Sequence, residues 1–171
     1  MSNQIGSIIE NGLSDWQILQ KTEDGYATIC LNGHYFGNPD SQINIRVLNE
    51  ATGCHQNIFN TIQGDKDRRW EAKLRVKSGG LYRLETRLQN VGEQTTEWST
   101  RGDMRHFWGV GDVWVIAGQS NSAGYGRGSY QDAAELGIHI FRNNEQWALA
   151  THPMNESTGI VHPVNREASN P

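Results

Sequence analysis

Val113-Trp-Val-Ile-Ala-Gly-Gln-Ser-Asn-Ser122 is an unbroken apolar run, Val113 to Ala117, that ends at Gly118 and is followed two residues later by Ser120. A short apolar run closed by glycine reads as a strand buried on both faces of a parallel sheet. Open α/β sheets carry their chemistry at the carboxyl ends of such strands, which makes Ser120 a candidate nucleophile. A serine hydroxyl attacks only when a base takes its proton and donors receive the developing oxyanion. A tight turn at Gly118 turns the serine's own N–H toward the substrate as one such donor. Spacing alone equally allows Gln119, Ser120 and Asn121 to be a plain polar turn. Ser122 also stands where the Gly-x-Ser-x-Gly elbow has its second glycine.

Upstream of this run the chain reads as β. In Gln42–Asn49, Ile43, Ile45 and Val47 point one way while Asn44 and Arg46 point the other, the period of a half-buried strand. Trp70, Ala72, Leu74 and Val76 repeat the pattern against Glu71, Lys73, Arg75 and Lys77. Ser78-Gly79-Gly80 then reads as a turn, and Tyr82, Leu84, Thr86 and Leu88 resume the alternation, as in a hairpin. Tyr26 to Leu31 is a further expected strand, closed by Asn32-Gly33. Short strands at this spacing suggest an antiparallel β-sandwich. After Trp108-Gly109-Val110-Gly111 the character changes to the apolar run, a glycine-rich loop, a short helical turn over Gln131–Leu136, and an alternating strand from Gly137 to Phe141.

Composition narrows the functional classes. The 171 residues include 15 Lys and Arg against 19 Asp and Glu, a net charge of −4, without the basic stripe of a nucleic-acid binder. No apolar run approaches the ~18 residues of a membrane span, and the N-terminus lacks the pattern of a signal peptide. The expected setting is the cytoplasm, or secretion with the signal already removed. Cys30 and Cys54 are expected as reduced, partly buried thiols, with a bridge between them as the alternative. The histidines are scattered singly, so no metal is expected, and nucleophilic serine chemistry calls for no cofactor.

Gly111-Asp112-Val113-Trp114 followed by Gly118-Gln119-Ser120-Asn121 resembles the first signature block of the sialate O-acetylesterase and acetylxylan esterase group of the SGNH hydrolase superfamily. The resemblance implies a serine esterase that removes acetyl groups from sialic acid or xylan-type sugars. Ser120 would be the nucleophile and a backbone oxyanion donor, with Gly118, Gln119 and Asn121 supporting the turn. Ser122 replaces the methionine of most relatives, a change expected to alter packing under the loop. Trp147 fits the same segment as a sugar contact, and Arg127 is a candidate contact for an acidic sugar. The fold implied is mainly β: an Ig-like antiparallel β-sandwich over residues 1–107, then the first strands of an incomplete SGNH-type α/β (flavodoxin-like) domain over 108–171.

The family's later blocks supply the remaining oxyanion donors and an Asp-x-x-His base. None of His139, His152 and His162 has an aspartate three residues earlier. The expectation is therefore a truncated esterase, inactive alone, whose partners are an acetylated carbohydrate and the C-terminal part of the same protein. Asp103-Met104-Arg105-His106 precedes the serine and is expected as an inter-domain loop, with a turn at Arg101-Gly102-Asp103. Gly124-x-Gly126-x-Gly128 lacks the Lys-Ser/Thr ending of a phosphate loop. Trp98, Trp108 and Trp147 suit either packing or sugar stacking. The alternative function is a non-catalytic carbohydrate- or protein-binding β-sandwich.

Overall fold

The computed structural model describes residues 6–56, 60–90, 92, 100–118, 132–152 and 154. Ten strands run through them: β1 (Gly6–Asn11), β2 (Ile18–Gln20), β3 (Tyr26–Phe36), β4 (Gln42–Asn49), β5 (Asn60–Gln63), β6 (Arg69–Lys77), β7 (Gly79–Gln89), β8 (Thr100–Gly111), β9 (His139–Phe141) and β10 (Trp147–Leu149). No helix occurs among the described residues, and the chain is mainly β as expected. A three-stranded sheet has the order β1-β3-β6, a five-stranded sheet the order β2-β8-β7-β4-β5, and β9 and β10 form a small ribbon. Pairing is antiparallel except between β2 and β8.

The core follows from side-chain alternation. Ile29, Leu31 and Tyr35 of β3 and Trp70, Leu74 and Val76 of β6 come from the three-stranded sheet. They share one cluster with Ile43, Ile45 and Val47 of β4, Tyr82, Leu84 and Leu88 of β7, and Trp108 and Val110 of β8. Each such side chain withdrawn from water contributes about 1.5–3 kcal/mol before chain entropy is counted. The expected faces of β4, β6 and β7 are the buried ones. The opposite face of β4 and β7 is buried as well, through Asn44, Arg46, Glu85 and Arg87, so these two strands are not half-solvated. They pair with each other inside the five-stranded sheet, and polar residues there are covered by their neighbours.

Three local expectations are corrected. Asn32-Gly33 does not close β3, which continues to Phe36. Gly33 is needed inside the strand, because a Cβ there would lie 1.9 Å from the Ile8 carbonyl oxygen and 2.8 Å from the Trp70 ring. Ser78-Gly79-Gly80 does not form a hairpin: β6 pairs with β3, whereas β7 pairs with β4 and β8. The chain crosses there from one sheet to the other. Both patterned faces point into the same core from opposite sides, and the glycines allow close passage, with only 3.1 Å from an added Gly80 Cβ to the Gly109 Cα. Arg101–His106 is neither a turn nor a loop but the first half of β8. Gly102 serves a close approach of backbones, since a Cβ on it would sit 2.5 Å from the Ser7 carbonyl oxygen.

The C-terminal part departs most from expectation. Val113–Ala117 forms no strand, and Trp114, Val115 and Ile116 are 85 %, 88 % and 75 % exposed. A strand apolar on both faces needs neighbours on both edges. Here the ladder stops on either side of Gly111: β2 ends at Gln20 opposite Gly111, and β7 begins at Gly79 opposite Val110. The helical turn expected over Gln131–Leu136 is reduced, among described residues, to one turn in which Ile138 N–H donates to the Glu135 carbonyl. Cys30 and Cys54 are free and exposed rather than partly buried; Cys30 falls on the outward register of β3.

Candidate functional site

The signature begins at the end of β8, and β2 decides where it leaves the sheet. The parallel ladder pairs Ile18 with Gly109, Leu19 with Val110 and Gln20 with Gly111. At the next position Lys21 N–H donates to the Gly111 carbonyl at 2.8 Å, and Lys21 Nζ meets Asp112 Oδ2 at 2.8 Å. Val113 N–H donates to Gln20 Oε1 at 2.7 Å. The backbone is thus held up to Val113 and runs exposed from there to Gly118.

Gln119, Ser120, Asn121 and Arg127 lie outside the described residues. Gly118 is exposed on the irregular stretch after β8, whereas Trp147 is half-buried in β10. Trp147 pairs with Phe141 across the β9–β10 ribbon, their ring centroids 5.4 Å apart. The structure places these two expected site residues on separate elements. Trp108 is wholly buried against Tyr82, ring centroids 5.2 Å apart, and so is a packing residue.

Five histidines are described: His34, His106 and His139 are each held by a neighbour, and His55 and His152 are exposed. His139 has both ring nitrogens on backbone carbonyls, Nδ1 at 2.5 Å from Trp16 O and Nε2 at 2.8 Å from Leu136 O. His34 Nδ1 lies 2.9 Å from Glu10 Oε1. His106 Nδ1 lies 3.3 Å from Glu50 rather than on Asp103, whose Oδ2 accepts from Ile9 N–H at 3.1 Å. The Asp-x-x-His spacing in β8 therefore does not make a dyad. Among the described residues no three His, Cys, Asp or Glu side chains are placed to hold a metal.

Sequence reasoning missed a cluster on the outer face of the five-stranded sheet. Between Tyr82↔Trp108 and Leu84↔Arg105, two residues of β8, His106 and Phe107, face the single Arg83 of β7. This is a β-bulge, and Phe107 takes the left-handed φ of 56° within it. The bulge stacks Phe107 on Trp16 at 4.5 Å and 13°, with His139 edge-on to Trp16. Beside it Glu50 accepts from Arg83 Nη1 at 3.4 Å, and Glu85 accepts from Arg83 Nε and Arg46 Nε, each at 2.7 Å. Burial alone would push the Glu85 carboxyl up, but the hydrogen bonds and charges of Arg46 and Arg83 outweigh it and hold it below the ordinary value. The alternation of β4 and β7 contained Arg46 and Glu85 as outward residues, and only the register sets them opposite each other.

No curated protein matches the chain. A family model does match, over residues 110–167: carbohydrate esterase, sialic acid-specific acetylesterase. The matched range begins where β8 ends, takes in the whole Gly-Asp-Val-Trp and Gly-Gln-Ser-Asn block, and includes β9 and β10. Residues 110–167 are thus similar to the carbohydrate esterases of the sialic acid-specific acetylesterase family.

Proposed function

We propose that the protein is a carbohydrate O-acetylesterase with Ser120 as its nucleophile. The observation that carries this reading is the family match over 110–167 with the signature block inside it. In the proposed chemistry Ser120 Oγ attacks the acetyl carbonyl and its proton passes to a base. The sugar oxygen leaves with a proton as the acyl C–O bond breaks, and an acetyl-enzyme forms. Water then attacks that ester, releasing acetate and restoring the serine. The Ser120 backbone N–H helps receive the oxyanion, and Gly118, Gln119 and Asn121 shape the turn. The substrate class is O-acetylated sialic acid or a xylan-type sugar.

In the same reading residues 1–107 are an Ig-like sandwich that carries an SGNH-type portion beginning near residue 108. The two sheets sharing one core support the first part. The base is not assigned to His139, whose two ring nitrogens both lie on backbone carbonyls. Hydrolysis of p-nitrophenyl acetate tests the reading, comparing residues 1–171 with the longest product of the gene. The expected result is little turnover by residues 1–171 and Ser120-dependent turnover by the longer product. Turnover insensitive to Ser120→Ala would overturn the nucleophile. Strong turnover by residues 1–171, abolished by Ser120→Ala, would place the base within this chain.

A further inference from the structure

Asp112 belongs to the signature block, yet nothing in acyl transfer requires a carboxylate at the start of that block. Its partner explains its presence. Lys21 occupies the register position next to Asp112 after the β2–β8 ladder, and its Nζ stands 2.8 Å from Asp112 Oδ2. Gln20 alongside accepts the Val113 N–H at 2.7 Å, and Gln17 O accepts the Gly109 N–H at 2.9 Å. A second attachment lies at the other end of the same short strip, where Trp16 offers its carbonyl to His139 Nδ1 and its ring to the imidazole edge. Trp16 is itself fixed from below: its N–H donates to the His106 carbonyl at 3.0 Å, and its ring stacks on Phe107. The strip Trp16–Lys21 therefore grips the family-matched segment twice, at Asp112–Val113 and at His139. The sequence between those two grips contains Ser120.

We infer that Trp16–Lys21 is a docking strip by which the β-sheet part positions the esterase segment, with Gln20 and Lys21 as positioning residues for its entry. The left-handed backbone of Trp16, φ 62°, fits this role, because a bulky residue adopts that conformation only when its surroundings hold it there. Asp112 is then the element of the signature that reads the sheet part rather than the substrate. That the strip thereby positions Ser120 rests on the esterase reading; that it holds Asp112–Val113 and His139 does not.

Hydrogen exchange of single amides, followed by NMR on residues 1–171, separates the two. Gln20→Ala removes the acceptor of the Val113 N–H, and its exchange should rise at least about tenfold. Lys21→Met should raise it about two- to fivefold, the size expected of a half-exposed ion pair. Lys21→Arg should leave it as in the parent protein, and the charge-swapped pair Lys21→Asp with Asp112→Lys should restore most of the protection. His139→Ala should raise exchange of the Ala150 amide, which is bonded to the Ile138 carbonyl. Amides of β3 and β6 should be unchanged throughout. Unaltered Val113 exchange in both Gln20→Ala and Lys21→Met would overturn the inference. So would an equal rise in β3 and β6, since these residues would then support the whole fold rather than one segment. Neither result bears on esterase activity, which stands or falls with Ser120→Ala.

Discussion

Arg46 Nε stands 2.7 Å from Glu85 Oε2 across β4 and β7, with both side chains about nine-tenths buried. Two opposite charges so far from water support each other, but either alone is a liability. Glu85→Gln should lower stability by about 3–5 kcal/mol by removing the buried carboxylate that Arg46 and Arg83 share. Replacing both, Arg46→Met with Glu85→Leu, should recover most of that loss. Urea unfolding of the three variants checks the order.

The same carboxylate sets an acid limit. Glu85 has its pKa below the ordinary 4.5 in the folded chain, because the two arginines outweigh burial. A depressed carboxylate contributes its full stability above the unfolded value. That contribution is lost as pH falls from about 4.5 through the folded value. Unfolding free energy measured from pH 6 downward should therefore decline below about pH 4.5, and Glu85→Gln should flatten this part of the decline.

Gly33 and Gly53 should respond differently to alanine. At Gly33 the added carbon would meet the Ile8 carbonyl oxygen at 1.9 Å, so Gly33→Ala forces β1 away from β3 and should cost more than ~2 kcal/mol. Gly53 has φ of +68° and open space around it, and Gly53→Ala should cost only the ~1 kcal/mol of a left-handed alanine. Thermal melting of the two variants gives the comparison.

Trp114, Val115 and Ile116 form a contiguous exposed apolar run, a surface that soluble chains rarely leave open. Val115→Ser with Ile116→Ser should reduce binding of a hydrophobic dye and concentration-dependent self-association. The melting temperature should stay within about 2 °C, since surface changes away from the core alter stability by at most ~0.5 kcal/mol.

The strands legible in the sequence were those whose alternation is uninterrupted. Trp70, Leu74 and Val76 announced β6, and Ile43, Ile45 and Val47 announced β4. What failed was punctuation. Gly33 and Gly102 looked like turn residues but serve close approach of backbones, a requirement set by Ile8 and Ser7 elsewhere in the chain. The apolar run at Val113 signals a strand, yet strand formation depends on neighbours, and the ladders beside it end at Gly111. The signature was legible because its residues are contiguous. The Lys21–Asp112 pair was not, because its partners are 91 residues apart and only the parallel register of β2 and β8 joins them.

The most direct test of the account is acetate release from O-acetylated sialic acid by the longest product of the gene, with and without Ser120→Ala. Measurable release is expected, falling at least about a thousandfold in the variant, as for loss of a covalent nucleophile. Equal release by the two proteins, or none from the parent on any O-acetylated sugar, would contradict it.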